Sequence, residues 1–371
     1  MISLKLIPHD VLFFSDNTPF STGTAAQSEP GGLFPPYPTT MAGAIRACLA
    51  RENGWCGSRK WPSEISAVLG DGPKKLGALH VAGPYLLFKN EPVFPLPRHV
   101  LGCMEKDTWQ PKVVAQPGEA VTCDLGSAVR LPAWPRQEGP KLKAAEGVWI
   151  RARHLGPVLN GQLPDPKSLI PRDKLWLEER RVGIARDPET RTAERRKLYS
   201  ARHIRLKPEV SLGVQCFGLP ADWRIPVGTA MILGGERRLV TCEAWDAPAF
   251  CPLPEKPPQN GRLTVTALTA LDLEEKTPLI GRTLTTLGGV RVVSACLNRA
   301  QRVGGWDARN RKPLGSRCLL PAGSVLFCEL PEKEKLGPMR TNQAGRLQIG
   351  RRRNLGYGAV ALGTWTEEGQ R

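Results

Sequence analysis

The chain has 371 residues, 41% of them hydrophobic, and its 52 basic and 35 acidic residues leave a formal net charge of +17 (52 − 35). This length predicts two domains or one large domain with insertions, and the apolar content excludes a chain that is disordered as a whole. So large a basic excess favours a polyanionic partner, and nucleic acid fits better than a membrane surface because no long basic amphipathic helix is evident.

The 35 prolines and 38 glycines favour short strands and loops over a helical bundle. Ten cysteines occur, but no C-x-x-C, and no histidine lies near a cysteine at zinc-site spacing. We therefore expect free thiols in a reducing compartment and neither a metal nor another cofactor. Residues Met1–Pro8 alternate and are too short for a signal peptide, and no window approaches the ~18 apolar residues of a membrane span. A cytoplasmic location is the resulting expectation.

The first part of the chain predicts a strand, a loop and a helix. Ile2–Ile7 alternates as a strand does, and the small polar residues 21–34 predict a loop. A helix then ends at Asn53–Gly54, and Arg46 lies off its apolar face, which is formed by Met41, Ile45, Cys48 and Leu49. Leu79–Phe88 is the next predicted strand, whereas the proline-rich residues 89–170 predict an irregular insertion.

Residues 180–207 carry the densest charge, with ten basic and three acidic side chains and hence a net +7 (10 − 3). Arg172–Arg181 before them predicts a short helix. Tyr199 is interleaved with the basic residues, which is typical of surfaces that stack nucleobases. We predict RNA contacts here, with a solvated mobile hairpin as the alternative. The candidate RNA-binding residues are Arg180, Arg181, Arg186, Arg191, Arg195, Arg196 and Arg202.

The second half echoes the first. After a strand at Val210–Leu219 and a proline-rich linker at Ala247–Pro258, the alternating segment Arg262–Leu273 begins a second unit. Further strands are predicted at Val290–Leu297 and Ala322–Leu330. Each half begins with an alternating strand and ends with an apolar–Gly–Arg turn that leads into a strand, at 233–240 and at 349–360. We therefore predict two copies of an α+β unit with mainly antiparallel sheets.

The glycine-rich loop at 349–360 joins three consecutive arginines to three glycines and an aromatic residue. Glycine allows close backbone approach, and arginine offers a planar donor fork suited to phosphate. A tight turn with solvated charges is the alternative. The candidate RNA-binding residues of this loop are Arg351, Arg352, Arg353, Asn354, Gly356 and Tyr357.

No hydrolase or nucleotide-binding motif accompanies these basic segments. H-E-x-x-H, G-x-S-x-G and G-x-x-x-x-G-K-[ST] are all missing from the sequence. Asp10 and Asp16 flank an apolar segment and are typical of turns, and His9 beside them is a single histidine without a catalytic pattern. The sequence therefore predicts a protein that is not an enzyme.

Several of these segments together resemble subunit three of the type III-B CRISPR effectors, the Cmr complexes, in the RAMP superfamily. The similar segments are Val11–Phe20, Leu33–Arg46, Val182–Asp187 with Thr190–Ala193 and Leu198–Tyr199, Gly304–Asp307, Lys312–Pro313, Leu320–Val325 and the glycine loop. They occur in the family order along nearly the whole chain, and only residues 89–170 match poorly.

The resemblance implies two ferredoxin-like (RRM-type) domains. One would comprise residues 1–250, with the insertion 89–170 and a β-hairpin thumb at about 176–210. The other would comprise residues 251–371, with the glycine-rich loop 349–360. The resemblance further implies a non-catalytic subunit with a role in antiviral defence.

The resemblance also implies partners. The subunit would hold the 5′ handle of the crRNA, contact target RNA near the handle, and dock on the large polymerase/HD-type subunit and on a backbone RAMP subunit. No membrane is involved. Arg46 would face the RNA groove together with the basic residues of the hairpin and the loop. Two alternatives stay open: a RAMP-type endoribonuclease that processes precursor crRNA with His9 or Tyr357 and a lysine or arginine, and a general single-strand RNA chaperone.

Overall fold

A computed structural model describes residues 1–15, 33–58, 60–72, 76–135, 138–248, 261–273, 278–307, 310–330, 339, 341 and 345–366. Most of the predicted loop at 21–34 and of the linker at Ala247–Pro258 lies outside these ranges, as does Asp16. The helices within them are α1 (Pro38–Glu52), α2 (Ser63–Leu69), α3 (Ala152–Leu159) and the 3₁₀ turns Pro166–Ser168, Arg172–Lys174 and Arg353–Leu355.

Strands dominate the remainder of these ranges. In chain order they are β1 (Ile2–Pro8), β2 (His80–Phe88), β3 (Glu91–Pro95), β4 (Val100–Glu105), β5 (Thr108–Val114), β6 (Gln116–Cys123), β7 (Gly126–Ala133), β8 (Lys143–Ala144), β9 (Val148–Arg151), β10 (Leu169–Pro171), β11 (Trp176–Arg186), β12 (Ala193–Leu206), β13 (Val210–Phe217), β14 (Ala230–Ile232), β15 (Leu239–Ala244), β16 (Arg262–Ala267), β17 (Thr283–Leu284), β18 (Val290–Cys296), β19 (Gln301–Asp307), β20 (Lys312–Leu319), β21 (Val325–Glu329) and β22 (Val360–Thr364).

The chain forms two compact units. The first contains Met1–Asn90, Asp173–Asp246 and Val303–Arg317, and the second contains Glu91–Arg172, Ala247–Arg302 and Cys318–Arg371. These units interleave along the sequence, whereas the predicted domains, 1–250 and 251–371, are each one continuous segment. The predicted insertion at 89–170 contains strands β3 to β9, the start of β10 and helix α3, and it clusters with the second half of the chain.

The first unit is built on an antiparallel sheet in the order β2–β13–β1–β15–β14. β1 alternates because one face is covered: Leu4 and Leu6 are buried, whereas their neighbours are half-buried. Helix α1 packs near β2 with Met41, Ile45 and Leu49 fully buried. Its predicted apolar face and its end near Asn53 are both confirmed.

The second unit contains an antiparallel sheet in the order β17–β18–β21–β16–β22. Its core includes Leu263, Val265, Leu326 and Leu362. The two sheets share an order. In each, a central strand (β1 or β16) pairs on one side with the last strand of its sheet (β15 or β22). On the other side it pairs with β13 or β21, which pairs in turn with β2 or β18. The orders are β15–β1–β13–β2 and β22–β16–β21–β18. This shared order agrees with the predicted echo, and the strand-rich antiparallel α+β class is confirmed.

One secondary-structure prediction is wrong. Arg172–Arg181 was expected to be helical, but only Arg172–Lys174 forms a 3₁₀ turn and β11 begins at Trp176. Pairing with β12 along the full length of β11 outweighs the local helix propensity of Glu178–Arg181. Among the helices that the structure describes, none combines the length and the apolar character that crossing a bilayer requires.

Candidate nucleic-acid interface

The basic segment 180–207 forms a long antiparallel hairpin of β11 and β12. Its register runs from Trp176↔Leu206 to Arg186↔Ala193, with an irregularity between Ile184 and Arg186. Asp187 closes the turn, because its carboxylate accepts hydrogen bonds from the backbone N–H of Thr190 (2.7 Å) and of Glu189 (3.0 Å). These bonds lower the pKa of Asp187, the contribution of Thr190 being the largest. The turn therefore needs no ligand to be ordered.

Most of the predicted hairpin residues reach solvent. Arg180, Arg186, Arg191 and Arg202 are exposed. Arg186 Nε donates to the carbonyl of Arg191 (3.0 Å), and Arg202 lies 3.7 Å from Glu178. The side chains of Arg195, Arg196 and Tyr199 lie outside the part of the chain that the structure describes.

Arg181 differs from the other hairpin arginines because it belongs to a charge network at the hairpin base. The Arg181 guanidinium lies 2.6 Å from Glu179 and 3.3 Å from Asp10. Arg205 bridges the same two carboxylates at 2.7 and 3.0 Å. The backbones of Leu12 and Ile204 also exchange two hydrogen bonds of 2.8 Å. The loop after β1 is thus attached to both strands of the hairpin.

The pKa values of the two carboxyls reflect this network. Partial burial alone would raise the pKa of Asp10, but hydrogen bonds from Arg205, the backbone of Val11 and Arg181 lower it below its ordinary value. The pKa of Glu179 is lowered chiefly by its hydrogen bond from Arg181 and then by that from Arg205. Both groups therefore stay ionised at neutral pH and keep the base of the hairpin paired.

A second set of polar residues continues this network toward the β14–β15 turn. The His203 ring is buried, and its Nε2 lies 2.8 Å from Glu236 Oε2. The Arg238 guanidinium lies 2.6 Å from Glu236 and 3.8 Å from Asp10. Sequence reasoning missed these residues, since His203 and Glu236 are remote from each other in the chain. The apolar–Gly–Arg pattern at 233–240 was the one available signal.

We predict that Asp10→Ala loosens the hairpin without unfolding the unit. Arg181 and Arg205 each lose one of their two carboxylate partners, so amides at the base of β11 and β12 should exchange with solvent several-fold faster. Hydrogen exchange read by mass spectrometry measures this. The control is Lys174→Ala, which removes an exposed cation just before β11 and should leave exchange unchanged. Equal exchange in both variants would contradict a role for Asp10 in holding the hairpin.

The glycine-rich loop is held together by its own backbone and by the side chains of Gln348 and Thr269. Gln348 Nε2 donates to the carbonyls of Arg353 (2.9 Å) and Tyr357 (3.1 Å). Thr269 Oγ1 donates to the carbonyl of Gly356 (2.8 Å) and accepts from the N–H of Ala359 (3.0 Å). Gly350 and Gly358 adopt φ values of +79° and +76°, and a Cβ at either position would collide with a backbone carbonyl. These hydrogen bonds and glycine conformations therefore define the backbone conformation of the loop.

The three consecutive arginines have different environments. Arg352 Nε donates to the buried Asp272 carboxylate (2.6 Å), and its Cζ lies 4.2 Å from the centroid of the Tyr357 ring. Arg351 donates its backbone N–H to the carbonyl of Asp272 (2.8 Å), while the side chains of Arg351 and Arg353 are exposed. One arginine thus fixes the loop and two extend toward solvent.

The remaining candidate residues of the loop also differ in burial. Tyr357, expected at the RNA surface, is instead fully buried beneath Arg352, so its ring has no face open to a nucleobase. Gly356 is buried as well and adopts φ +103°, which closes the 3₁₀ turn. Asn354 is half-buried.

Arg46 is engaged within the first unit. Its guanidinium donates to the carbonyls of Gly70 (2.9 Å) and Gly72 (3.2 Å) and lies 5.0 Å from the centroid of the Trp61 ring. Burial lowers the pKa of Arg46 to about 10, against a smaller opposing effect of Asp71. These contacts give Arg46 a structural role, and RNA contact by this residue stays a prediction.

The two residues of the catalytic alternative differ in exposure, because His9 is exposed whereas Tyr357 is not. His9 Nε2 lies 2.6 Å from Thr241 Oγ1, and Tyr357 is fully buried. General acid–base chemistry requires groups that can reach the substrate. Within the described ranges, no three His, Cys, Asp or Glu residues are arranged to hold a metal ion.

Each unit has an aspartate close to an arginine of a glycine-containing turn. Asp10 follows β1 and lies 3.8 Å from Arg238, and Asp272 follows β16 and lies 2.6 Å from Arg352. In the first unit the N–H of Gly235 donates to the carbonyl of Phe13 (2.8 Å), much as Arg351 donates to Asp272 in the second. The echo therefore extends from strand order to a backbone hydrogen bond of the glycine turn.

Comparisons with known proteins bear on this arrangement. The model of the family described as CRISPR-associated protein (Cas_Cmr3) matches residues 4–365. A solved structure of the type III-B Cmr-beta complex with cognate target RNA and AMPPnP contains a chain of 18% identity and TM-score 0.51, with 88% of this chain and 86% of that chain covered. A second Cmr-beta structure, with cognate target RNA, gives 17% identity, TM-score 0.50 and the same coverage.

A crystal structure of the Csm3–Csm4 subcomplex of a type III-A complex is more distant. The identity is 10% and the TM-score 0.40, with 91% of this chain and 97% of that chain covered. At these identities the likeness to solved structures concerns the fold alone. No curated protein matches the sequence.

Proposed function

Because the chain belongs to the CRISPR-associated protein (Cas_Cmr3) family, we propose that it is the crRNA-binding subunit of a type III CRISPR effector ribonucleoprotein. The subunit holds the 5′ handle of the crRNA, acts in antiviral defence in the cytoplasm and catalyses no reaction itself. The observation that carries this proposal is the glycine-rich loop, which extends two exposed arginines, Arg351 and Arg353, from a rigid turn.

Each four-stranded order β15–β1–β13–β2 and β22–β16–β21–β18 forms a ferredoxin-like domain in this proposal. In such a sheet all neighbours are antiparallel and the first strand lies centrally, as it does in both units. The hairpin β11–β12 is the thumb, and its exposed Arg180, Arg186, Arg191 and Arg202 face the RNA. At the base of the hairpin, Arg181 and Arg205 are paired with Asp10 and Glu179.

The loop recognises the handle through its phosphates. Arg351 and Arg353 supply charged donors, and a single strand offers phosphates on a splayed backbone. In this proposal Arg352 fixes the loop, because its Nε donates to Asp272. The remaining surfaces bind the large polymerase-like subunit, the backbone RAMP subunit and target RNA near the handle.

The double variant Arg351→Ala/Arg353→Ala tests this function. We expect its affinity for an RNA of the handle sequence to fall roughly tenfold, because two phosphate contacts are lost. The slope of log K against log salt should decrease by about 0.7 for each contact. Fluorescence anisotropy with labelled handle RNA at several salt concentrations measures both quantities.

Matched changes elsewhere provide the control. Arg172→Ala/Lys174→Ala removes two exposed cations at the 3₁₀ turn before β11 and should leave affinity and slope nearly unchanged. An unaltered salt slope in the loop variant would show that the loop is structural only. Metal-independent cutting of repeat RNA that His9→Ala abolishes would favour the endoribonuclease instead. Equal affinity for handle and scrambled RNA in the assembled complex would favour a general RNA chaperone.

A further inference from the structure

A second basic hairpin, formed by β19 and β20, presents the most exposed tryptophan that the structure describes. The Trp306 side chain is 62% exposed, although burial of an indole is strongly favoured in folded proteins. Strand alternation places Arg302, Gly304 and Trp306 on one face of β19, and Val303 on the other face is buried. Trp306 therefore belongs to the solvent side of the hairpin.

The backbone around Trp306 leaves its ring accessible. Gly304, two residues earlier on the same face, has no side chain to cover the indole. Gly305 faces the opposite way, where a Cβ would lie 3.1 Å from the Leu314 side chain. The exposed face of β19 is thus bare between Arg302 and Trp306, which are about 13 Å apart along a strand with ~3.3 Å rise per residue.

The surroundings of Trp306 are strongly basic. Residues 299–317 contain six basic side chains and one acidic side chain, a net charge of +5 (6 − 1). The single acid, Asp307, is buried, and its carboxylate accepts hydrogen bonds from the backbone N–H (3.1 Å) and side chain (2.8 Å) of Asn310. Arg302, Arg311 and Lys312 are exposed. The charge toward solvent is therefore wholly positive among the described residues of this hairpin.

Another exposed tryptophan does not have such basic surroundings. Trp134 is 41% exposed and follows the hairpin β6–β7, where residues 116–134 carry two acids and one arginine, a net charge of −1 (1 − 2). That arginine, Arg130, is paired with Glu329 at 3.3 Å. Exposed Leu125 and Leu131 lie on the same hairpin. An exposed indole beside apolar and acidic groups suits a protein partner, whereas one among arginines suits a nucleobase.

We propose that Trp306 is a stacking platform for an unpaired nucleobase of single-stranded RNA, with Arg302, which lies on the same face of β19, binding an adjoining phosphate. The site is separate in sequence from the hairpin β11–β12 and from the glycine-rich loop. It rests on the proposed RNA-binding function and adds base stacking to the phosphate contacts of the loop. Stacking tolerates every base, because each has a π face, so the site contributes affinity without reading sequence.

The test uses the full chain and an oligouridylate in which single positions carry 5-iodouridine, a photoreactive base that crosslinks to aromatic residues in contact. We expect a crosslink to Trp306, identified by peptide mass spectrometry. Trp306→Ala should weaken binding roughly tenfold with an unchanged salt slope, because no cation is removed. Trp306→Phe should retain most of the affinity. Trp134→Ala is the matched control and should bind as the unaltered chain does.

The outcomes separate this inference from the proposed function. If Trp306→Ala binds normally and the crosslink maps elsewhere while Arg351→Ala/Arg353→Ala loses affinity, stacking is overturned and handle binding stands. If the unaltered chain does not prefer handle RNA but still crosslinks through Trp306, the handle assignment fails and stacking stands. Loss of co-purifying subunits from Trp306→Ala, with RNA affinity retained, would identify a protein interface and overturn the inference. Thermal melting of each variant excludes unfolding as the cause.

Discussion

Arg352→Ala is expected to lower the free energy of unfolding by about 2 kcal/mol, although the residue lies in a run of surface arginines. The substitution leaves the Asp272 carboxylate, which is buried, without its 2.6 Å partner. It also removes the cation that lies 4.2 Å from the Tyr357 ring. The estimate is at the low end for a buried pair because the Arg352 side chain is 23% exposed. Chemical denaturation followed by tryptophan fluorescence measures the change.

Arg353→Ala is the matched control for this effect. Its side chain is exposed, so its removal should change stability by less than about 0.5 kcal/mol while reducing RNA affinity. Arg352→Ala should thus lower mainly the stability, and Arg353→Ala mainly the RNA affinity. Similar unfolding midpoints for both variants would show that the Asp272 pair does not stabilise the loop.

Gly358→Ala should have a larger effect, more than about 3 kcal/mol. Gly358 adopts φ +76°, and an added Cβ would collide with the carbonyl oxygen of Ile349. Ile349 cannot move away easily, because its N–H donates to the carbonyl of Gly358 at 2.9 Å and its side chain belongs to the core. We expect low soluble yield or a much lower melting temperature, together with loss of RNA binding.

Gly345→Ala separates collision from backbone strain. Gly345 adopts a similar φ of +68°, but an added Cβ would meet no atom within 4 Å. This variant should lose only about 1 kcal/mol, the cost of a left-handed non-glycine residue. If both variants melted alike, backbone conformation alone would account for the requirement for glycine at 358.

Much of the fold followed from the sequence because its strands alternate or are bounded by turns. β1, β13, β16, β18 and β22 all lie within a few residues of their predicted positions. Ordered family motifs led to the family itself, which the match over residues 4–365 confirms. Local patterns are sufficient for such elements, since they depend on burial of one or both faces.

The interleaving of the units and the roles of individual arginines could not be predicted. Val303–Arg317 packs within the first unit although it follows β18 of the second, and no local pattern encodes that. Arg351, Arg352 and Arg353 look alike in the sequence. Only the tertiary position of Asp272, which lies 80 residues away from Arg352, distinguishes them. The same holds for Arg181, whose partner Asp10 precedes it by 171 residues.

The internal bonds of the glycine-rich loop have a consequence for the rate and affinity of the RNA contact proposed for it. Gln348, Thr269 and Asp272 order the loop during folding, so a strand that arrives at it meets donors already in position. The conformational entropy of ordering the loop is therefore lost once, before the encounter, and does not subtract from affinity. Association should be limited by diffusion and charge steering, and release by the breaking of individual phosphate contacts.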